Sequence, residues 1–180
     1  IGDPYPDWLM NINTALSWKG LTVSGLLDIR KGGDIWNGTN ARMNRIGISE
    51  ASGERDHTFV IEGVIEQADG SYVANDIEIA PEDYWGDYLG DFGASSQAIQ
   101  DGGWVRLREV KLAYTFTLDP KNVIKGLSVS ATGRNLWLKT DYLGVDPETS
   151  LTGAGSNISG FDWFNNPGTK SYLFSVSAAF

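Results

Sequence analysis

The sequence predicts an all-β fold, a run of strands from an antiparallel, membrane-spanning β-barrel. Three observations predict it: long segments of period-two alternation, connections that are by turns short and long, and a composition rich in glycine and aromatic rings. The 180 residues include 22 glycines, seven Trp, seven Tyr and seven Phe, a profile that suits turns and strands better than helix bundles.

In the first strand, about 8–18, Trp8, Met10, Ile12, Thr14, Leu16 and Trp18 alternate with Leu9, Asn11, Asn13, Ala15 and Ser17. One face is apolar and the other largely polar. Lys19-Gly20 predicts a two-residue hairpin turn, with glycine free to take a positive φ. The second strand, about 21–30, repeats the pattern with Leu21, Val23, Gly25, Leu27 and Ile29 against Thr22, Ser24, Leu26, Asp28 and Arg30.

The third strand, about 104–117, sets Val110, Leu112, Tyr114 and Phe116 against Glu109, Lys111, Ala113 and Thr115, while Arg106 and Arg108 stand on the opposite parity and blur the facing of its first half. A short connection through Asp119-Pro120 leads to the fourth strand, about 126–139. There Leu127, Val129, Ala131 and Gly133 alternate with Ser128, Ser130, Thr132 and Arg134, and Asn135-Leu136-Trp137 is mixed. The fifth strand, about 170–180, carries Tyr172, Phe174, Val176, Ala178 and Phe180 on one parity.

Between these strands lie two long loops, 31–103 and 141–169, rich in Gly, Asp, Asn and Ser. The first is too long for an ordinary hairpin connection and is expected to be functional or disordered. Strands of ten to thirteen residues, rising ~3.3 Å per residue and tilted by about 40°, span roughly 25–33 Å and match the apolar band of an outer-membrane barrel. A secreted, carbohydrate-binding β-sandwich is the alternative reading. It would share the acidity, the aromatics and the lack of cysteine, but sandwich strands average about half this length.

Composition removes other classes. A net charge of −9 and a pI near 4.5 argue against nucleic acid, whose binding draws on clustered Lys and Arg. Zero cysteines exclude disulfides, thiolate metal sites and cysteine nucleophiles. No apolar run reaches the length of a helical membrane span, and Ile1-Gly2-Asp3-Pro4 has neither the basic start nor the apolar centre of a secretory signal. The one histidine, His57, falls in the first long loop without metal-ligand spacing or a nucleophile partner, so no enzyme activity is expected.

Several motifs then stand in order: Gly2-Asp3-Pro4-Tyr5-Pro6-Asp7-Trp8, Asp28-Ile29-Arg30-Lys31-Gly32-Gly33, Trp104-Val105-Arg106-Leu107-Arg108-Glu109-Val110, Gly133-Arg134-Asn135-Leu136, Gly144-Val145-Asp146-Pro147-Glu148 and the closing Phe180. In this order and spacing, over nearly the whole chain, they resemble the C-terminal region of the SusC/RagA family of TonB-dependent outer-membrane transporters. The resemblance implies strands of about 18–22 in a 22-stranded barrel, with the plug domain and the TonB-contacting segment elsewhere. It also implies a SusD-like surface lipoprotein as partner, import of glycans or peptides, and the outer membrane of a Gram-negative bacterium of the Bacteroidota. A non-transporting structural or adhesive barrel is a further alternative. Five strands cannot close a barrel, and lipid does not tolerate open sheet edges, so upstream strands must complete the wall. With the last strand ending at the periplasm, both long loops fall outside the cell and both short turns inside.

The candidate site residues follow. Trp85, Tyr88 and Trp163, with Tyr84, Phe161 and Phe164 beside them, are loop aromatics that either meet ligand and lid or tuck the loops onto each other. Asp28, Arg30, Arg106, Arg108 and Arg134 either face the lumen or pair with one another in the wall, since a charge in lipid near the midplane costs roughly 2–4 kcal/mol. The resemblance gives Phe180 the role of the terminal signal for barrel assembly. Glu78, Glu82, Asp83, Asp87 and Asp91, and Asp146 with Glu148, offer oxygens for calcium but match no EF-hand spacing. The preferred reading is therefore a solvated acidic loop, with no metal and no cofactor.

Overall fold

The computed structural model describes residues 1–93, 95–119, 121, 123–152 and 155–180; Pro120 of the second short connection lies outside the described residues. Five long strands dominate: β1 (Trp8–Trp18), β2 (Leu21–Lys31), β3 (Trp104–Phe116), β4 (Gly126–Thr140) and β5 (Ser171–Ala179). They form one antiparallel sheet in chain order, each strand beside its predecessor. The boundaries differ from the sequence reading by a residue or so: Lys31 and Thr140 extend their strands, while Thr117, Lys170 and Phe180 lie outside theirs.

The first turn is set by two left-handed residues, Lys19 at φ 47° and Gly20 at φ 85°, the backbone that a two-residue turn needs to match strand twist. A Cβ on Gly20 would stand 2.5 Å from the Thr115 carbonyl oxygen. The Gly20 carbonyl in turn accepts from the Thr115 amide at 2.8 Å, tying the turn to β3.

Register carries the alternation across the sheet. Leu16 pairs with Val23, Val23 with Leu112, Leu112 with Ala131 and Ala131 with Phe174, forming an unbroken apolar row. One residue away Ser17, Thr22, Ala113, Ser130 and Ser175 form a small and polar row. The apolar face is uncovered, with Leu16 74%, Phe174 79% and Val176 74% exposed. Trp18, Tyr114 and Phe116 gather on it at the turn end, and Trp8, Trp137 and Tyr172 toward the loop end. The outer flanks of β1 and β5 have no neighbour among the described residues.

A β-bulge accounts for the blurred half of β3. Leu26 pairs with Glu109, yet the next residue, Leu27, pairs with Leu107, so Arg108 is the extra residue. A bulge puts two consecutive side chains on one face and reverses parity beyond it. Trp104 and Arg106 therefore join the polar face, while Val105 and Leu107 join the apolar one. β4 answers with its own irregularity between Arg134 and Trp137. There Asn135 adopts φ 52° and its Nδ2 donates to the Thr169 carbonyl at 3.0 Å.

Residues 35–100 and 150–165, with Ile1–Gly2, form a separate compact unit. Region 31–103 is therefore not the structureless loop that its composition suggests. The strand Asp34–Asn37 lies between Phe161–Asp162 and Ile99–Asp101. The helix Gly38–Arg45 follows, capped by Asn37, whose side chain accepts from the Asn40 amide at 2.9 Å. Two small hairpins pair Val64–Glu66 with Tyr72–Ala74 and Phe59–Val60 with Glu78–Ile79. The interior is mostly polar, with Asn37, Asn44, Ser52 and Asp162 buried alongside Ile35 and Ala41, and such groups are retained only when hydrogen-bonded. Thr39 donates to Asp162 at 2.9 Å, and Ser49 donates to Asn44 at 2.6 Å. No helix among the described residues is long and apolar enough to cross a membrane, which says nothing about strands.

Candidate functional site on the polar face

The bulge at Arg108 brings Arg106 and Arg108 of β3 onto one face, where β2 supplies Asp28 and the segment after β4 supplies Asp146 and Glu148. Arg106 Nη2 donates to Asp146 Oδ1 at 2.6 Å. Its Nε stands 2.9 Å from Glu148 Oε2, an ion pair whose angle falls short of a hydrogen bond. Arg108 bridges Asp28, at 2.6 Å from Nε, and Glu148, at 2.7 Å from Nη1, with a second close contact from Nη2 to Glu148. Both guanidiniums lie over the buried Trp104 ring, 5.5 and 5.0 Å from its centre. Ion pairs this enclosed hold only with full pairing, since removing one partner strands the other at about 3–5 kcal/mol.

The network joins three of the motifs singled out in the sequence: Asp28-Ile29-Arg30, Trp104 to Val110, and Gly144 to Glu148. The first motif is held nearby. Arg30 donates to the Pro4 carbonyl at 2.9 Å, and Asp3 and Asp34 exchange bonds of 2.8 and 2.6 Å. Gly32 and Gly33 turn the chain there at φ 72° and 87°, and a Cβ on Gly32 would meet the Asp7 carboxylate at 2.6 Å.

Of the five wall residues named from sequence, Asp28, Arg106 and Arg108 come together, whereas Arg30 binds carbonyls and Arg134 pairs separately with Glu109 at 2.9 Å near solvent. Sequence reasoning did not connect Asp146 and Glu148 to the arginines. Their shared two-residue spacing, matching that of Arg106 and Arg108, was the available signal. The solvated reading of the acidic residues needs correction at two positions. Asp146 is buried, and the Asp91 side chain is 4% exposed between Arg42 and Arg45. Each lies beside a fixed cation, which offsets the loss of water. No cluster of metal-ligating side chains occurs among the described residues.

In the loop unit, Trp85 and Tyr88 share a single π-helical turn with Tyr84, Tyr84–Tyr88. Tyr84 stacks on Phe59 with ring centres 4.1 Å apart, and Trp85 meets both rings edge-on at 5.1 and 5.7 Å. The Trp85 indole donates to the Glu54 carbonyl at 3.2 Å, and exposed His57 covers Phe59 at 4.5 Å. Trp163 stacks on Trp36 at 5.8 Å and 8°. The three named aromatics thus pack within the loops: Tyr88 on Tyr84 at 5.6 Å, and Trp85 and Trp163 against Phe59 and Trp36, partners that the sequence reading did not identify. A cleft of about 610 Å³ beside them is lined by Trp85, Arg45, Arg55, Glu82, Asp83 and Asp87. At Asp69 the Ser71 hydroxyl and amide, bonded at 2.6 and 3.0 Å, hold the carboxyl below its ordinary pKa.

No protein-family profile matches the chain. Two curated proteins of Formosa agariphila are similar over its full length: TonB-dependent receptor P26, 27% identical over 188 residues, and TonB-dependent receptor P3, 24% identical over 187. The chain spans 18% and 17% of their lengths. Among solved structures, the RagAB peptide importer in its closed-closed state superposes with a TM-score of 0.70 at 19% identity, and in its open-open state with 0.67 at 20%. In each case 98% of this chain and 17% of the other are covered. The unpaired flanks of β1 and β5 fit a piece of a larger wall, the fold matches a segment of the RagAB barrel, and in sequence the chain is similar over its full length to TonB-dependent receptors rather than to enzymes.

Proposed function

We propose that the chain supplies five wall strands, about 18–22 of a 22-stranded barrel, and two external loops, 31–103 and 141–169, to an outer-membrane importer of a Gram-negative bacterium of the Bacteroidota. The observation that carries this reading is the two-faced sheet, continuous and apolar on one side and hydroxyl-rich and charged on the other. At ~3.3 Å per residue and about 40° of tilt, an eleven-residue strand rises roughly 28 Å, enough for the apolar band. In this reading Asp28, Arg106 and Arg108 line the lumen side, and Phe180, 78% exposed beyond β5, is the barrel-assembly signal.

The cargo is a glycan or peptide. It enters under a SusD-like lipoprotein and passes a plug moved through TonB, both plug and TonB contact belonging to the rest of the receptor. Edges of Phe161 and Phe164 left 42% and 54% exposed, and the cleft beside Trp85, are the surfaces this segment offers to lid or cargo. No step of catalysis is assigned to it.

Thiol labelling of the full-length receptor in outer membranes tests the wall. Leu112→Cys should resist a water-soluble maleimide that labels Ala113→Cys, and equal labelling rejects the assignment of faces. Import is tested by uptake of labelled oligosaccharides and oligopeptides with TonB present or deleted, and uptake that survives the deletion rejects the TonB-driven mechanism.

A further inference from the structure

The distribution of charge over the sheet points beyond the wall itself. Within the five strands the apolar face carries no carboxylate, and its only charged side chains are Lys31, paired in register with Trp8, and Lys139, paired with Val105. Both are at the loop end, both are exposed, and neither forms an ion pair among the described residues. The arginines behave oppositely: Arg42, Arg45, Arg106, Arg108 and Arg134 meet carboxylates, and Arg30 and Arg55 meet backbone carbonyls.

Two free cations on an otherwise uncharged face of a chain of net charge −9 have no protein anion within reach on that face. Lys31 and Lys139 are two strands and one pleat repeat apart, about 10 Å across the sheet and about 7 Å along it. On the same face Trp8 stands beside Lys31, and Trp137 lies one pleat repeat from Lys139 toward the turn end, the ring type that settles where acyl chains give way to head groups. Below them runs an apolar notch of about 380 Å³ lined by Leu112, Val129, Ala131, Phe174 and Val176, open at Ala131 because a single methyl fills less space than the larger side chains around it.

We infer that this face binds a phosphorylated membrane lipid, its phosphate held by Lys31 and Lys139 between Trp8 and Trp137 and an acyl chain lying toward the Ala131 notch. Charge complementarity selects the occupant: a free anion would gain nothing from the apolar rows, and a neutral lipid nothing from the lysines. Each lysine near an anionic head group contributes enough that the pair should give about a thirtyfold preference. The inference rests on the reading of the chain as a membrane-embedded wall.

The test is native mass spectrometry of the full-length receptor after exchange into detergent, with dimyristoyl phosphatidic acid, dimyristoylglycerol and inorganic phosphate as probes. The wild type should retain phosphatidic acid about thirtyfold over the diglyceride. Lys31→Gln with Lys139→Gln should bring the two near parity, and Lys111→Gln on the polar face should leave the preference unchanged. Equal retention by the wild type, or an unaltered preference in the double variant, overturns the proposal. Displacement of phosphatidic acid by inorganic phosphate at comparable concentration overturns it in favour of a free-anion site. If Leu112→Cys remains shielded while the preference is absent, the lipid site alone fails. If Leu112→Cys is freely labelled, the wall reading fails with it.

Discussion

The sheet and the loop unit use the same aromatic residues in opposite ways. On the sheet, Trp18, Tyr172 and Phe174 project away from the protein, 69–79% exposed. In the loops, Phe59 stacks on Tyr84 and Trp36 on Trp163. Ring burial in water requires other rings, whereas a face turned to hydrocarbon needs no protein cover, because the surroundings are as apolar as the side chain. Charge is inverted in the same sense. The loop unit keeps polar groups inside and the sheet keeps them on one face, so what counts as interior differs between the two regions.

Five substitutions sharpen that contrast. Arg106→Ala leaves Asp146 as a buried, unpaired anion and should destabilise the receptor by about 3–5 kcal/mol, read from denaturant unfolding in vesicles; a loss below about 1 kcal/mol would mean that the pair is hydrated. Leu112→Arg on the apolar face should cost roughly 2–4 kcal/mol in the same assay while Ala113→Arg, one residue away on the polar face, stays near neutral, and equal costs would erase the distinction between faces. Phe59→Leu removes the stack on Tyr84 and should raise amide exchange through 81–88 by about 1 kcal/mol of opening free energy without altering sheet unfolding. Arg134→Ala, whose pair with Glu109 is open to solvent, should cost at most about 1 kcal/mol and less in high salt, making it the counterpart of Arg106→Ala.

Much of the sheet was legible in the sequence because period-two alternation is a local property. β1, the Lys19-Gly20 turn and the lower half of β3 follow directly from it. Legibility fails at Arg108, where one inserted residue reverses parity. A bulge leaves no composition signal, only an alternation that contradicts itself. The loop unit was opaque for another reason. Its order comes from small polar side chains bonded to one another, across a long separation from Thr39 to Asp162 and within a turn from Ser49 to Asn44, and such bonds impose no period. Of the candidate site, the arginines were visible as misplaced charges, but their anions Asp146 and Glu148 lay in a loop where acidity usually means solvation.

The separation of 123 residues between Thr39 and Asp162 also bears on time. Each long strand pairs with the one before it, so the sheet can grow by successive hairpin additions. The loop unit instead needs two segments separated in sequence by β3 and β4, and bringing them together directly costs somewhat more loop entropy than joining them after those strands have paired. The loop unit should therefore consolidate after the sheet. Pulse-labelled exchange during refolding of the receptor should show protection in β2 and β3 before protection in the helix Gly38–Arg45, and the reverse order would show a loop unit able to form without its wall.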